Sequence, residues 1–145
     1  MIKLFTIGCS GRSARDFFGA LGKAQIQTVI DIRLRNTSHL AGFSKMQDLP
    51  FFLESICGAA YIHIPQLAPT ERILDDFKKN KGSWDEYETA YLRLLEERGA
   101  EHLLSPAFLH MGCLLCSETK SDYCHRRLAS DFFARKFSEV SITHL

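Results

Sequence analysis

Residues 3–33, KLFTIGCSGRSARDFFGALGKAQIQTVIDIR, decide the fold of this chain. The apolar run from Lys3 to Gly8 predicts a buried strand that ends at a glycine. Ser13-Ala-Arg-Asp16 has the pattern of a capping box, which predicts an amphipathic helix through about Ala24. The β-branched run from Gln27 to Arg33 predicts a second strand. A strand–helix–strand unit of this kind implies parallel pairing through a right-handed crossover.

The rest of the chain continues this alternation of strands and helices. Three further strands are predicted, at Tyr61 to Ile64, Phe108 to Leu115 and Val140 to Thr143. Further helices are predicted to open at Ser44, Thr70, Ser83 and Ser121. With no internal repeat and no linker, we expect residues 1–145 to form a single three-layer, Rossmann-like α/β domain. Its mostly parallel sheet would have about five strands flanked by helices.

The composition is that of an ordinary globular protein. Hydrophobic residues make up 46% of the chain and charged residues 24%, a balance that excludes a disordered chain. The formal net charge of +1 argues against a protein that coats nucleic acid through bulk charge. A local basic patch remains compatible with that charge.

The apolar stretches are too short for targeting or membrane insertion. The N-terminal run is interrupted at Gly8 and Ser10, before it reaches the length of a secretory h-region. No stretch approaches the roughly 20 apolar residues that cross a bilayer. Five cysteines without a signal peptide indicate reduced thiols, so we expect a cytoplasmic protein that does not enter a membrane.

In an open parallel sheet, ligands bind beyond the carboxyl ends of the strands, near the point where the strand order reverses. After the first strand comes Gly8-Cys-Ser-Gly-Arg-Ser13, which precedes a helix. Ser10 and Arg12 of this turn are candidates to bind an anion, together with backbone N–H groups and the helix dipole. The alternative is a tight turn in which Ser13 only caps the helix.

The second strand ends in Asp31-Ile-Arg33, followed by a polar loop that begins at Asn36. Alternation places Asp31 and Arg33 on the same side of the strand, so they either pair or both face the pocket. A structural ion pair is the alternative to a role in catalysis for Asp31 and in substrate binding for Arg33. Asn36 is a further candidate for substrate binding, because loops in this position often carry binding groups.

The segment from Cys113 to Arg127 has the highest density of reactive side chains. Cys116 and Glu118 follow the fourth predicted strand, and a helix start at Ser121 would place three more candidates in its first turn: Cys124, His125 and Arg126. A helix start and neighbouring cations favour a thiolate. We therefore regard Cys116 and Cys124 as candidate nucleophiles, with His125 and Glu118 as base or orienting groups and Arg126 as an anion clamp.

Three other interpretations of this segment stay open. Cys113, Cys116, Cys124 and His125 could supply four zinc ligands, although Cys113 and Cys116 have opposite facing on a regular strand. Cys113-Leu-Leu-Cys116 also has the spacing of a thiol-redox pair, but it precedes a loop rather than a helix. In the third interpretation, the two cysteines are core thiols and Arg126 braces the loop. We predict no metal site, and the sequence indicates no particular cofactor.

Several short motifs occur in a fixed order along the chain: Thr6-Ile-Gly8 with Ser10, Asp31-Ile-Arg33, Asn36-Thr-Ser, Leu40-Ala-Gly-Phe43, His63-Ile-Pro with Leu67-Ala-Pro-Thr70, Cys116-Ser-Glu118, and Cys124-His-Arg126. This ordered set resembles the domain-of-unknown-function family 488 across nearly the whole chain. The resemblance implies a compact three-layer α/β fold and leaves the chemistry open. It also implies a shared site at these positions: Ser10, Asp31, Arg33, Cys116, Glu118, Cys124, His125 and Arg126.

Three classes of function follow from these residues. The first is an enzyme, a hydrolase or transferase that acts on a small anionic ligand carrying a phosphate or nucleotide group. The second is a nucleic-acid-binding or modifying module whose phosphate contacts would be these arginines: Arg12, Arg33, Arg35, Arg126 and Arg127. The third is the zinc or thiol-redox module. The sequence does not determine the substrate, the oligomeric state or whether the protein is an enzyme.

Overall fold

A computed structural model describes residues 1–37, 42–118 and 120–145 of the chain. Its centre is a sheet of five parallel strands in the order β3-β2-β4-β1-β5. The strands are β1 (Ile2–Gly8), β2 (Thr28–Asp31), β3 (Ala60–His63), β4 (Gly112–Cys116) and β5 (Val140–His144). The predicted parallel sheet of five strands is therefore confirmed.

Six α-helices lie in the described part of the chain. They are α1 (Ala14–Lys23), α2 (Leu49–Phe52), α3 (Glu71–Lys78), α4 (Trp84–Glu97), α5 (Pro106–Leu109) and α6 (His125–Lys136). The serine or threonine before α1, α3 and α4 accepts a hydrogen bond from the third helical backbone N–H, as the sequence predicted. These caps fix where three of the crossover helices begin.

Two hydrophobic cores lie on opposite faces of the sheet, because neighbouring residues of each strand point in opposite directions. Leu114 packs in one core with residues of α4 and α6, among them Tyr91 and Phe132. Leu115 packs in the other core with Phe17 of α1 and Leu53, which follows α2. The protein thus has the three-layer, Rossmann-like α/β architecture that the strand–helix alternation predicted.

Strand β4 lies at the point where the connections change sides. Its neighbours β1 and β2 lead into α1 and α2 on one face, whereas β4 leads into α6 on the other. At the carboxyl end of β4, its own connection therefore turns to one face of the sheet, whereas the connections of β1 and β2 turn to the other. In open α/β sheets such a divergence opens the crevice in which ligands bind.

Several predicted element boundaries were wrong. Strand β4 begins at Gly112 rather than Phe108, because Pro106 and the Ser105 cap start the short helix α5 instead. Helix α6 is capped by Cys124, so the predicted cap Ser121 lies in the preceding turn. Ser44 does not open a helix either; α2 begins at Leu49 after a short 3₁₀ turn. The shift at α6 changes the site, since it makes Cys124 the capping residue itself.

Within residues 1–37, 42–118 and 120–145, every helix is too short or too polar to cross a lipid bilayer.

Candidate functional site

A cleft of about 170 Å³ opens beyond the carboxyl ends of β2 and β4. Glu118 follows β4 and lines the cleft together with Cys124 and His125 from the start of α6. The side chains of Lys78 and Tyr87, from α3 and α4, form part of the opposite wall. The cleft therefore lies where the change of crossover direction predicts a ligand site.

Cys116 and Cys124 form a thiol cluster with Arg126 at the inner end of this cleft. Arg126 donates from Nη1 to the sulfur of Cys116 at 3.2 Å, and its backbone N–H donates to the sulfur of Cys124 at 3.5 Å. The two thiols are within hydrogen-bonding reach of each other. Cys116 is completely buried and Cys124 is 2% exposed, so only Cys124 reaches the cleft wall.

The two thiols differ in acidity. Burial by itself would raise the pKa of Cys116, but the Cys124 hydrogen bond and the charge of Arg126 outweigh it and lower that pKa. Burial and the adjacent Cys116 raise the pKa of Cys124 well above its ordinary value. The surroundings therefore favour ionisation of Cys116 over ionisation of Cys124.

His125 is the first residue of α6, and its ring is held in one orientation. Its Nε2 lies 2.8 Å from the backbone oxygen of Ile32, which can only accept, so Nε2 carries the proton. Burial lowers the pKa of His125 to about 4, so the imidazole is neutral at pH 7. The Nδ1 lone pair then faces the sulfur of Cys124 at 4.0 Å. His125 is thus placed to accept a proton from Cys124.

The thiol cluster extends to the C-terminal strand through two residues that the sequence analysis missed. Arg126 Nε donates to Thr6 Oγ1 at 3.3 Å, and that oxygen lies 2.7 Å from Nδ1 of His144. Thr6 and His144 are 138 residues apart in sequence and meet because β1 pairs with β5. The one signal available in the sequence was Thr6 itself, a polar residue between the apolar residues Phe5 and Ile7.

Asp31 and Arg33 form a second buried cluster behind the cleft. Arg33 contacts both carboxylate oxygens, and Tyr61 donates to Oδ2 at 2.6 Å. Asn36 is 3.4 Å from the same oxygen, and the Ser44 backbone oxygen accepts from Arg33 Nη2 at 2.7 Å. Burial would raise the pKa of Asp31, but the bonds and charge of Arg33 lower it, so the carboxylate stays ionised.

Tyr61 was not predicted from the sequence. It lies on β3, the neighbour of β2, and its hydroxyl reaches Asp31 across the two strands. Burial and the bond to Asp31 raise the pKa of the Tyr61 hydroxyl well above its ordinary value, so it remains a donor. Arg33 itself lines the cleft, whereas Asp31 lies behind it.

The cleft rim carries exposed charges. Lys78 Nζ binds Glu118 Oε1 at 2.8 Å, and Arg35 pairs with Glu71. Tyr87 and Tyr123 also line the cleft, and both pack against Trp84 behind them. Tyr87 stacks on Trp84 with ring centroids 4.8 Å apart, and Tyr123 forms a T-shaped pair with Trp84 at 5.4 Å. The rim thus combines cations with aromatic surface.

Two candidate anion-binding residues of the first turn lie elsewhere. Arg12 donates to the backbone oxygen of Leu145 at 2.7 Å and pairs with Asp16, and it does not line the cleft. The backbone N–H of Ser10 donates to the backbone oxygen of Ser117 at 3.0 Å, which ties the first turn to the end of β4. Ser38, Leu40 and Ala41 of the family motifs lie outside the described residues.

The proposed zinc set does not come together. Cys113 packs in the core on the face of the sheet opposite to the Tyr91 core, and burial raises its pKa well above the ordinary value. In the described residues, no three Cys, His, Asp or Glu side chains are positioned to hold a metal ion. Cys113 and Cys116 point to opposite faces of the sheet, as the alternation of side chains along a strand requires. They therefore do not form the thiol-redox pair that their spacing suggested.

A family model described as "Domain of unknown function DUF488" matches residues 13–133. The chain belongs to this family. Among curated proteins, this DUF488 chain is 35% identical over 66 residues to a proline–tRNA ligase of Salinispora arenicola (strain CNS-205). That stretch covers 46% of the DUF488 chain and only 10% of the ligase. No solved structure gives a significant match.

Proposed function

We propose that this DUF488 protein binds a small anionic ligand with a phosphate or nucleotide group in the cleft, and acts on it as a hydrolase or transferase. The observation that carries the proposal is the cleft at the β4 switch point, which joins rim cations to an aromatic wall. Such a combination suits a ligand with a charged end and a planar end.

Lys78 is the cation best placed to contact the charged end of the ligand. Its partner Glu118 is half-buried, and Lys78 itself is exposed, so their ion pair is worth about 1 kcal/mol or less. A phosphate group carries more charge than the carboxylate and can replace it at Lys78. Glu118 would then be released toward the ligand as an acid–base group.

The wall at the start of α6 supplies the reactive groups in this proposal. Cys124 is the thiol that lines the cleft, and neutral His125 is its proton acceptor. Cys116 and Arg126 lie beneath and act by positioning Cys124. Asp31 is a positioning residue too, since it holds Arg33 at the cleft wall.

The nucleic-acid alternative receives less support from the geometry. Arg33 and Arg126 are 4% and 1% exposed, so neither can contact a phosphate backbone. Arg12 is tied to Leu145, and Arg127 pairs with Asp131 at 3.5 Å. The five arginines therefore do not form one basic face.

Calorimetric titration of the protein with AMP, ADP and inorganic phosphate tests the proposal, with adenosine as the uncharged control. We expect one nucleotide to bind, adenosine to bind much more weakly, and K78A to weaken nucleotide binding roughly tenfold. The matched control is K79A, because Lys79 pairs with Asp75 and does not line the cleft. Phosphorus NMR of the incubated nucleotide then detects turnover.

Two results would contradict the proposal. One is the absence of binding by every phosphate compound at millimolar concentration. The other is equal binding of adenosine and ADP, which would show that the rim cations do not select the ligand.

A further inference from the structure

The sulfurs of Cys116 and Cys124 are within hydrogen-bonding reach of each other, although seven residues separate them in sequence. Cys116 ends β4, and Cys124 caps α6, so each is held by a regular element. Arg126 binds both sulfurs, one through its guanidinium and the other through its backbone N–H. The pair is thus held together by the fold.

The pair also has the asymmetry that thiol oxidation requires. The guanidinium of Arg126 lies 3.2 Å from Cys116 and favours a thiolate there, while Cys124 keeps its proton. A thiolate is the nucleophile toward peroxides, and a neighbouring thiol resolves the product. The proposed ligand chemistry uses Cys116 only to position Cys124 and makes no use of the lowered pKa of Cys116.

We propose that Cys116 and Cys124 form a redox-active dithiol, which a small hydroperoxide converts into a disulfide bond. The Cys116 thiolate attacks one peroxide oxygen, the O–O bond breaks, and hydroxide or alkoxide leaves, so that Cys116 becomes a sulfenic acid. The sulfur of Cys124 then attacks that of Cys116. The S–O bond breaks, and the leaving hydroxide takes the Cys124 proton and departs as water.

Access limits the oxidant to a small molecule. Cys124 lines the cleft, but Cys116 is fully buried beneath it, so a peroxide must pass the cleft wall. His125 stands beside this path with its Nδ1 lone pair 4.0 Å from Cys124 and can assist the transfer of its proton. Hydrogen peroxide is close to water in size and is the probe of choice.

The other cysteines do not combine a guanidinium with a second thiol in this way. Cys113 faces the opposite core, and Cys57 donates to the backbone oxygen of Phe18, with a pKa that burial raises. Cys9 accepts from Nη1 of Arg33 at 3.8 Å, but the charge of Arg33 is already compensated by Asp31. Reaction with peroxide should therefore concentrate on Cys116 and Cys124.

Peptide mapping of the wild-type protein after treatment with hydrogen peroxide tests the inference. Trypsin cuts at Lys120, between the two cysteines, so the disulfide joins the peptides 99–120 and 121–126. We expect this linked pair, lighter by two hydrogen atoms and reversed by dithiothreitol. Fragmentation between Cys113 and Cys116 identifies the bonded sulfur in the first peptide.

Two variants sharpen the test. C124S removes the resolving thiol, so we expect a sulfenic acid at Cys116, which dimedone traps when the oxidised protein is unfolded in its presence. C57S should oxidise like the wild type. The inference is overturned if the wild type forms no 116–124 link while other cysteines oxidise, or if dimedone labels C124S elsewhere than at Cys116. Nucleotide binding is measured separately, on the reduced protein. The ligand proposal and the dithiol proposal can therefore fail independently of each other.

Discussion

Arg33 holds the Asp31 carboxylate at two points, with Nε 2.9 Å from Oδ1 and Nη2 2.8 Å from Oδ2. Both side chains are buried, and Tyr61 donates to Oδ2 from the neighbouring strand. The charge on each partner is thus compensated inside the protein. Removing one charge would leave the other buried and unpaired, which costs far more than an intact pair contributes.

We therefore expect D31N to destabilise the protein by about 3–5 kcal/mol, measured as the free energy of unfolding in urea. The matched control is E71Q, which breaks the exposed Arg35–Glu71 pair and should cost about 1 kcal/mol or less. A D31N variant as stable as E71Q would show that Arg33 finds another partner.

The Asp31–Arg33 pair also shows what the sequence could predict. Strand alternation placed the two side chains on one side, and they do pair. Tyr61 could not be predicted in the same way, because the strand order that brings β3 beside β2 is a long-range property. Thr6 and His144 were missed for the same reason, since β1 and β5 are paired from opposite ends of the chain.

Helix α6 shows a different limit. Serine is a much better capping residue than cysteine, so the sequence pattern favoured Ser121. In the structure, Cys124 takes that position because its sulfur also contacts Cys116 and Arg126. The tertiary contacts of the thiol cluster outweigh the local preference. The helix therefore begins after Cys124 rather than after Ser121.

Gly8 is required where β1 passes the thiol cluster. A Cβ at this position would overlap the backbone oxygen of Glu118 and Nη1 of Arg126. The first obstacle is backbone, and the second is a side chain that is itself 1% exposed, so neither can move aside cheaply. We expect G8A to destabilise the protein by at least about 2 kcal/mol in urea unfolding.

Gly19 is the control for G8A. It is exposed on α1, and a Cβ there meets nothing within 4 Å. G19A should therefore stabilise the protein by about 0.5–1 kcal/mol through helix propensity. If G8A behaved like G19A, the close approach of Glu118 to β1 would be refuted.

Arg126 should control the acidity of Cys116. We expect R126Q to raise the pKa of Cys116, because the hydrogen bond with Cys124 and the charge of Arg126 together outweigh burial, and the variant loses that charge. The measurement is the pH midpoint of thiolate absorbance in a C57S background, at a temperature where circular dichroism shows the variant folded. R127Q is the control, since Arg127 binds Asp131 and no thiol. An unchanged midpoint in R126Q would mean that another group supports the thiolate.

His125 should make the protein less stable in weak acid. The pKa of His125 in the folded protein is lowered to about 4 from an ordinary value of 6.5. Between these two pH values the imidazole is protonated in the unfolded chain and neutral in the folded protein. The contribution of neutral His125 to the free energy of unfolding is complete above pH 6.5 and is lost as the pH falls toward 4. The lowered pKa corresponds to a loss of roughly 3 kcal/mol over that range.

The H125Q variant isolates this effect. Glutamine can still donate to the Ile32 oxygen but does not titrate, so its unfolding free energy should fall less than that of the wild type between pH 6.5 and 4. NMR gives a direct check, because the His125 ring should titrate with a midpoint near 4 and carry its proton on Nε2 at neutral pH. A midpoint near 6.5, or a proton on Nδ1, would remove His125 as proton acceptor for Cys124.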